Sequence, residues 1–165
     1  KTALAPMFRA RALSVLAWQG YNMLGNRDGE VLRDPTHKEA KLRTKDDALR
    51  SILDSGSDRL STRVGIDYVP SLGDWKTAMD FVHFEGFLGA KMSLQFTWAG
   101  SDSALAAPLI IDLARLTDLA QRDGEGGVLD HQSCYFKAPM GDLVEHDFHR
   151  QVDALYRYAQ RKDRR

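Results

Sequence analysis

The sequence predicts an α+β fold, and three observations carry the prediction. Between Lys91 and Trp98, the residues Met92, Leu94, Phe96 and Trp98 alternate with Ser93, Gln95 and Thr97, the period-2 pattern of a half-buried strand. Between Asp102 and Arg122, Leu105, Leu109, Ile110, Leu113, Leu116 and Leu119 form an apolar stripe at helical spacing. Strand segments also come in consecutive runs with helices beside them, an order that argues against a doubly wound parallel sheet.

Taken in order, residues 1–11 read as the end of a helix in which Pro6 fits a first turn. Residues 12–22 are a strand, followed by a Gly/Asn/Asp loop through Gly29. The polar stretch 30–42, which contains Pro35, reads as an exposed connection. Thr44 is then the expected N-cap of a short helix to Leu53, with Asp46 and Asp47 in its first turn and Gly56 as its stop. Ser61 to Pro70 is the next strand, Ser71 to Asp74 a turn, and Lys76 to Phe87 a strand joined through Gly89 to the alternating one. Gly124-Glu125-Gly126-Gly127 ends the long helix. A short strand at Ser133 to Phe136 and a final helix over 143–161 complete the chain, with the closing basic residues as a solvated tail.

Composition limits the function classes. The 165 residues suffice for one domain with a real core. Lys plus Arg and Asp plus Glu number 23 each, so no general charge favours nucleic acid or an anionic membrane. No apolar run approaches membrane-spanning length. The single cysteine, Cys134, rules out an internal disulfide and fits a reducing compartment, hence an expected cytoplasmic location.

Three lysines stand at element boundaries beside turn residues: Lys45, Lys76 after Gly73-Asp74, and Lys137 before Ala138-Pro139. One lysine is ordinarily a surface cation; several converging on one site hold phosphate, polarise a carbonyl or move protons. The segment from Gln19 to Gly29 sets Asn22, Asn26 and Asp28 among glycines, and Asp102-Ser103 opens a helix as cap or ligand contact. His131, Cys134, His146 and His149 match no standard zinc spacing, so no metal is expected. No GxGxxG follows a strand.

LGNRDG (24–29), RTK (43–45), GDWK (73–76), GSDSALAAPLIIDL (100–113) and YFKAP (135–139) occur in this order. Together they resemble the C-terminal half of the inositol-3-phosphate synthase (myo-inositol-1-phosphate synthase) family, over roughly residues 1–140. The resemblance implies an isomerase that converts D-glucose 6-phosphate to 1D-myo-inositol 3-phosphate with NAD oxidised and regenerated within each turnover. It implies a mixed sheet covered by helices, similar to the C-terminal domain of glyceraldehyde-3-phosphate dehydrogenase, and a homotetramer. By the same carry-over Lys45 and Lys137 would serve proton transfer and polarisation, and Lys76 oxyanion stabilisation in ring closure. Asn22 and Asn26 would contact the sugar. Gly25, Asn26, Asp28, Gly73, Asp74, Asp102 and Ser103 would contact the cofactor.

Two departures from the family pattern stand out. Many members carry a second lysine four residues after the RTK-type lysine, where this chain has Leu49. The dinucleotide-binding (Rossmann) half and the GDD-type stretch that precede this segment in the family are missing, so the chain reads as the C-terminal portion of a longer protein and as inactive alone. The implied division is a lead-in helix and strand (1–22), a catalytic and oligomerisation domain (23–137), and a C-terminal helix and tail (138–165). The competing expectation is a non-catalytic assembly or binding module on the same fold.

Overall fold

A computed structural model describes residues 1–53, 59–141 and 145–163, without the side chains of Ala40, Thr44, Lys45 and Asp163. Its frame is a mixed sheet of β1 (Ser14–Leu24), β2 (Ser61–Tyr68), β3 (Trp75–Glu85) and β4 (Lys91–Ser101), in the order β2-β1-β3-β4. β1 runs parallel to β2 and antiparallel to β3, and β3 and β4 form the expected hairpin. The α+β expectation holds.

Register decides what each face carries. After a shift between Val15 and Ala17, the even positions of β1 point to one face, and Trp18, Asn22 and Leu24 are buried there. Across from them lie Thr62, Val64 and Ile66 of β2, and Ala78, Asp80 and Val82 of β3. Helix α1 (Ala5–Ala10) and helix α3 (Pro35–Leu53) close the lower part of this face. Ala5, Phe8, Val15, Trp18, Leu49, Ile52, Leu60 and Val82 make the core there. Phe8 meets Trp18 and Phe84 edge to face, at centroid distances of 6.0 and 5.0 Å. The opposite face leaves Tyr21, Trp75, Met79 and Phe81 exposed.

The structure corrects several expectations. Residues 30–42 are not an exposed connection. Asn26 caps a short helix α2 (Arg27–Val31), its side chain accepting from the Gly29 N–H, so Asn-Arg-Asp-Gly starts a helix rather than a loop. Pro35 then opens α3, and Asp34 accepts from the N–H groups of Thr36 and His37 at 2.8 and 3.3 Å. Proline suits a first helical position because its missing N–H is one the helix leaves unpaired anyway. Thr44 therefore lies inside α3 rather than at its start, and Gly56, the expected stop, lies outside the described residues.

Ser133 to Phe136 is not a strand: Asp130–Tyr135 is a 3-10 helix. Helix α4 (Asp102–Arg122) has the predicted bounds and ends in a Schellman motif. Gly124, at φ +72°, donates to the Gln121 carbonyl, and the Glu125 N–H donates to Ala120. Its apolar stripe is real but only partly covered. Leu105, Leu109, Ile110 and Ile111 are exposed, while Ala120 at the far end is buried. Likewise Met92 and Trp98 of edge strand β4 are exposed, and only Leu94 and Phe96 reach the core. The last helix, α5, spans Phe148–Asp163. Lys162 in the expected solvated tail instead pairs with Asp123 and Glu125.

Candidate active site

The covered face of the sheet changes character half-way along. Where Trp18, Val82 and Leu94 pack in the core, the next inward positions are Gly20, Asn22, Asp80, Ala78 and Lys76. These inward polar groups, with Val64 and Trp98, form the floor of a cavity of about 410 Å³. Its other walls are Lys1 and Thr2 before α1, Ala48 of α3, Asp102 and Leu105 of α4, and Lys137. Both size and makeup fit a small-molecule site: a mixed wall with a few convergent charges.

Lys76 and Lys137, expected from the sequence, meet in this cavity. The Lys76 Nζ donates to Asp102 Oδ1 at 3.1 Å, and Asn26 Nδ2 donates to Asp102 Oδ2 at the same distance. One carboxylate thus ties the start of α4 to β3 and to the cap of α2. Lys137 is held below the ordinary lysine value by burial first, then by the ammonium groups of Lys76 and Lys41. Lys1 is lowered as well, chiefly by burial, against the opposing pull of Asp80 and Asp46. Asn22 is buried and donates to the Gly65 carbonyl at 3.4 Å. The Lys45 side chain lies outside the described residues; its helix supplies Ala48, three positions on, to the cavity wall.

The other residues expected at the site stand beside the cavity rather than on it. Gly25 and Gly73 press on each other: a Cβ on Gly25 would lie 2.4 Å from the Gly73 nitrogen and 2.6 Å from its oxygen. Asp74 accepts from the Ser101 hydroxyl and from the Ser103 hydroxyl and N–H, which hold its carboxyl below the usual range. Asp74 and Ser103 thus fasten the start of α4. Asp28 pairs with Lys41 at the surface.

Leu49 is wholly buried in the core and does not line the cavity. Lys41, one turn before Lys45 on α3, is the second lysine at helical spacing, and its charge acts on Lys137. Sequence motifs do not mark Lys1, Lys41 or Asp80, and they place Trp98 only in an alternating strand. The signal for Asp80 was present: in β3 the inward phase reads Lys76, Ala78, Asp80, Val82, Phe84, with two charges where a half-buried strand should be apolar. His131, Cys134, His146 and His149 do not assemble. His131 stacks on Tyr158 at 3.6 Å, and His149 contacts the Ala3 carbonyl. Among the described residues no three His, Cys, Asp or Glu side chains gather as metal ligands.

A sequence profile of the myo-inositol-1-phosphate synthase family matches residues 1–103, more than half of the chain. The chain belongs to that family. It is 38% identical over 155 residues to inositol-3-phosphate synthase 1 of Bacteroides thetaiotaomicron, covering 89% of this chain and 36% of the relative. Against the mouse inositol-3-phosphate synthase 1 it is 35% identical, covering 85% of this chain and 28% of that one. The crystal structure of inositol-3-phosphate synthase from Caenorhabditis elegans superposes with a TM-score of 0.80 at 34% identity, over 95% of this chain and 34% of the other. A myo-inositol-1-phosphate synthase-related protein from Thermotoga maritima shares the fold, with a TM-score of 0.82 at 24% identity, over 96% of this chain and 42% of that one. The chain spans about a third of the length of the relatives it matches.

Proposed function

We propose that this chain is the catalytic part of an inositol-3-phosphate synthase, converting D-glucose 6-phosphate to 1D-myo-inositol 3-phosphate. The observation that carries the reading is the convergence of Lys76 and Lys137 on one cavity, in a chain of this family. Isomerising a sugar phosphate to a ring requires a base to take a proton from carbon, donors for the oxyanions of the enol and aldol steps, and cations for the phosphate. Lys137, held low by burial, is the candidate proton acceptor. Lys76, oriented by Asp102, keeps its ammonium as oxyanion stabiliser. Lys45, on the helix that supplies Ala48 to the wall, would share proton transfer and polarisation with Lys137.

NAD, if bound, would supply the redox chemistry, oxidation of the sugar and reduction of the ring ketone. The nicotinamide end would enter the cavity against the Asn22 amide and the Trp98 ring of its floor. The Gly25–Gly73 corner, Asn26, Asp28, Asp74, Asp102 and Ser103 would support that part of the cavity. No phosphate-binding glycine loop lies among the described residues, so the rest of the dinucleotide would be held by a Rossmann half outside this chain. The fold so completed would resemble glyceraldehyde-3-phosphate dehydrogenase.

The alternative, an assembly module, is favoured by one observation. The open sheet face and the first half of α4 leave Trp75, Phe81, Ile110 and Ile111 exposed. In the favoured reading this face joins copies of the chain in a homotetramer. No described helix is long and apolar enough to cross a membrane; a cytoplasmic enzyme acting on a small molecule, without nucleic acid, is the expected setting.

The test is turnover of glucose 6-phosphate with NAD by this chain and by the longest reading frame containing it. Inositol phosphate from the longer form supports the synthase. Folded protein that makes none in either form refutes it in favour of the assembly module.

A further inference from the structure

Asp80 is the one carboxylate on the cavity floor with no place in the chemistry above. Three features of the sheet build it in. Its Oδ1 accepts from the indole N–H of Trp18 at 2.7 Å, and Trp18 is wholly buried, so the acceptor is fixed by the core itself. Gly20 stands directly across from it in the β1–β3 register, and a Cβ there would sit 2.9 Å from that same oxygen. A larger residue at position 20 would push the carboxylate aside. The residue also occupies an inward phase of β3 in which its next neighbour, Val82, is fully buried.

A carboxylate so placed does more than satisfy the buried Trp18 N–H, which a neutral acceptor would do at less desolvation cost. It sits in the field of Lys1 and Lys137, which suit the anionic groups of a ligand. The carboxylate itself repels phosphate and oxyanions. It accepts hydrogen bonds only, so the part of the ligand beside it must be a neutral donor. On a phosphorylated polyol such donors are hydroxyls. We propose that Asp80 is a specificity-determining residue whose carboxylate, oriented by Trp18 and admitted by Gly20, accepts a hydrogen bond from one hydroxyl of a phosphorylated polyol in the cavity. This rests on reading the cavity as a sugar-phosphate site.

The experiment is calorimetric binding of glucose 6-phosphate and its monodeoxy analogues to the longest reading frame containing this chain, as wild type and as Asp80→Asn. Asparagine keeps the size and can still accept from Trp18, so folding is preserved. In the wild type, removal of one particular hydroxyl weakens binding about tenfold or more. In Asp80→Asn, glucose 6-phosphate itself binds about tenfold more weakly, and that hydroxyl no longer matters beyond about twofold. Trp18→Phe, which removes the indole N–H and frees the carboxylate at some cost in core packing, gives a smaller loss of binding with the same hydroxyl dependence. If Asp80→Asn weakens every analogue by one common factor, the residue is a counter-charge for the lysines and the proposal is overturned. Unchanged binding overturns it too. Selective loss of one hydroxyl contact in a protein that produces no inositol phosphate leaves the proposal standing and sinks the synthase reading instead.

Discussion

Gly25→Ala is the substitution for which the structure makes the sharpest demand. The corner after β1 passes so close to the turn before β3 that an added methyl would fall 2.4 Å from the Gly73 nitrogen, 2.6 Å from the Gly73 oxygen and 2.7 Å from the Leu72 Cβ. Two of these atoms are backbone and cannot rotate away. Overpacking in a tight site costs about 1–3 kcal/mol, and a backbone clash belongs at the upper end. For a chain of this length about 3 kcal/mol corresponds to a fall in melting temperature of roughly 6–12 °C. The corner also sets Asn26 against Asp102, so displacement propagates to the partner of Lys76. The assay is thermal denaturation followed by circular dichroism, with Gly126→Ala as control, because nothing lies within 4 Å of a Cβ at that position. The control should melt with the wild type. If Gly25→Ala melts within about 1 °C of the control as well, the close approach does not exist and the link from the corner to the cavity fails with it.

Three more outcomes follow from the site. Leu49→Lys places an ammonium in the core rather than in the cavity; it should cost about 4 kcal/mol or more in urea denaturation without improving glucose 6-phosphate binding, and tighter binding in a stable protein would contradict the placement. Asn26→Ala removes both the α2 cap and the bond to Asp102, for a loss of about 1–2 kcal/mol that Asn26→Asp should recover only in its capping part. Lys137 has a folded value lowered below 10.5, so in the window between them the unfolded chain holds the proton that the folded chain has released, and stability gains from rising pH. Lys137→Met should therefore be more stable than wild type at neutral pH, by a margin that shrinks as the pH approaches 10.5; a margin independent of pH would refute the buried ammonium.

Much of this was legible in the sequence because local chemistry and tertiary context agreed. The alternation through Met92–Trp98 and the stripe and glycine stop of α4 gave elements with nearly the predicted bounds. The 30–42 segment misled because its charges and Pro35 look like a connection. A proline at the first position of a helix capped by Asp34 reads the same way in a linear string. Lys76 and Lys137 were found through motifs, and the structure brings them together. Asp74 and Gly73 were expected as cofactor contacts, and here they anchor α4 and the β1 corner. Lys1 and Asp80 are not legible as site residues in a linear string because their meaning depends on tertiary placement: only the pairing of Gly20 with Asp80 shows that the floor is shaped for a carboxylate.

The measurement that tests the central claim most directly is residue-resolved lysine acylation, read by mass spectrometry, with and without glucose 6-phosphate. The account predicts that the sugar phosphate protects Lys76 and Lys137 together, that glucose without phosphate protects them less, and that Lys91, paired with Glu85 at the far end of the hairpin, reacts at an unchanged rate. Equal acylation of Lys76 and Lys137 with and without the ligand, in folded protein, would contradict it.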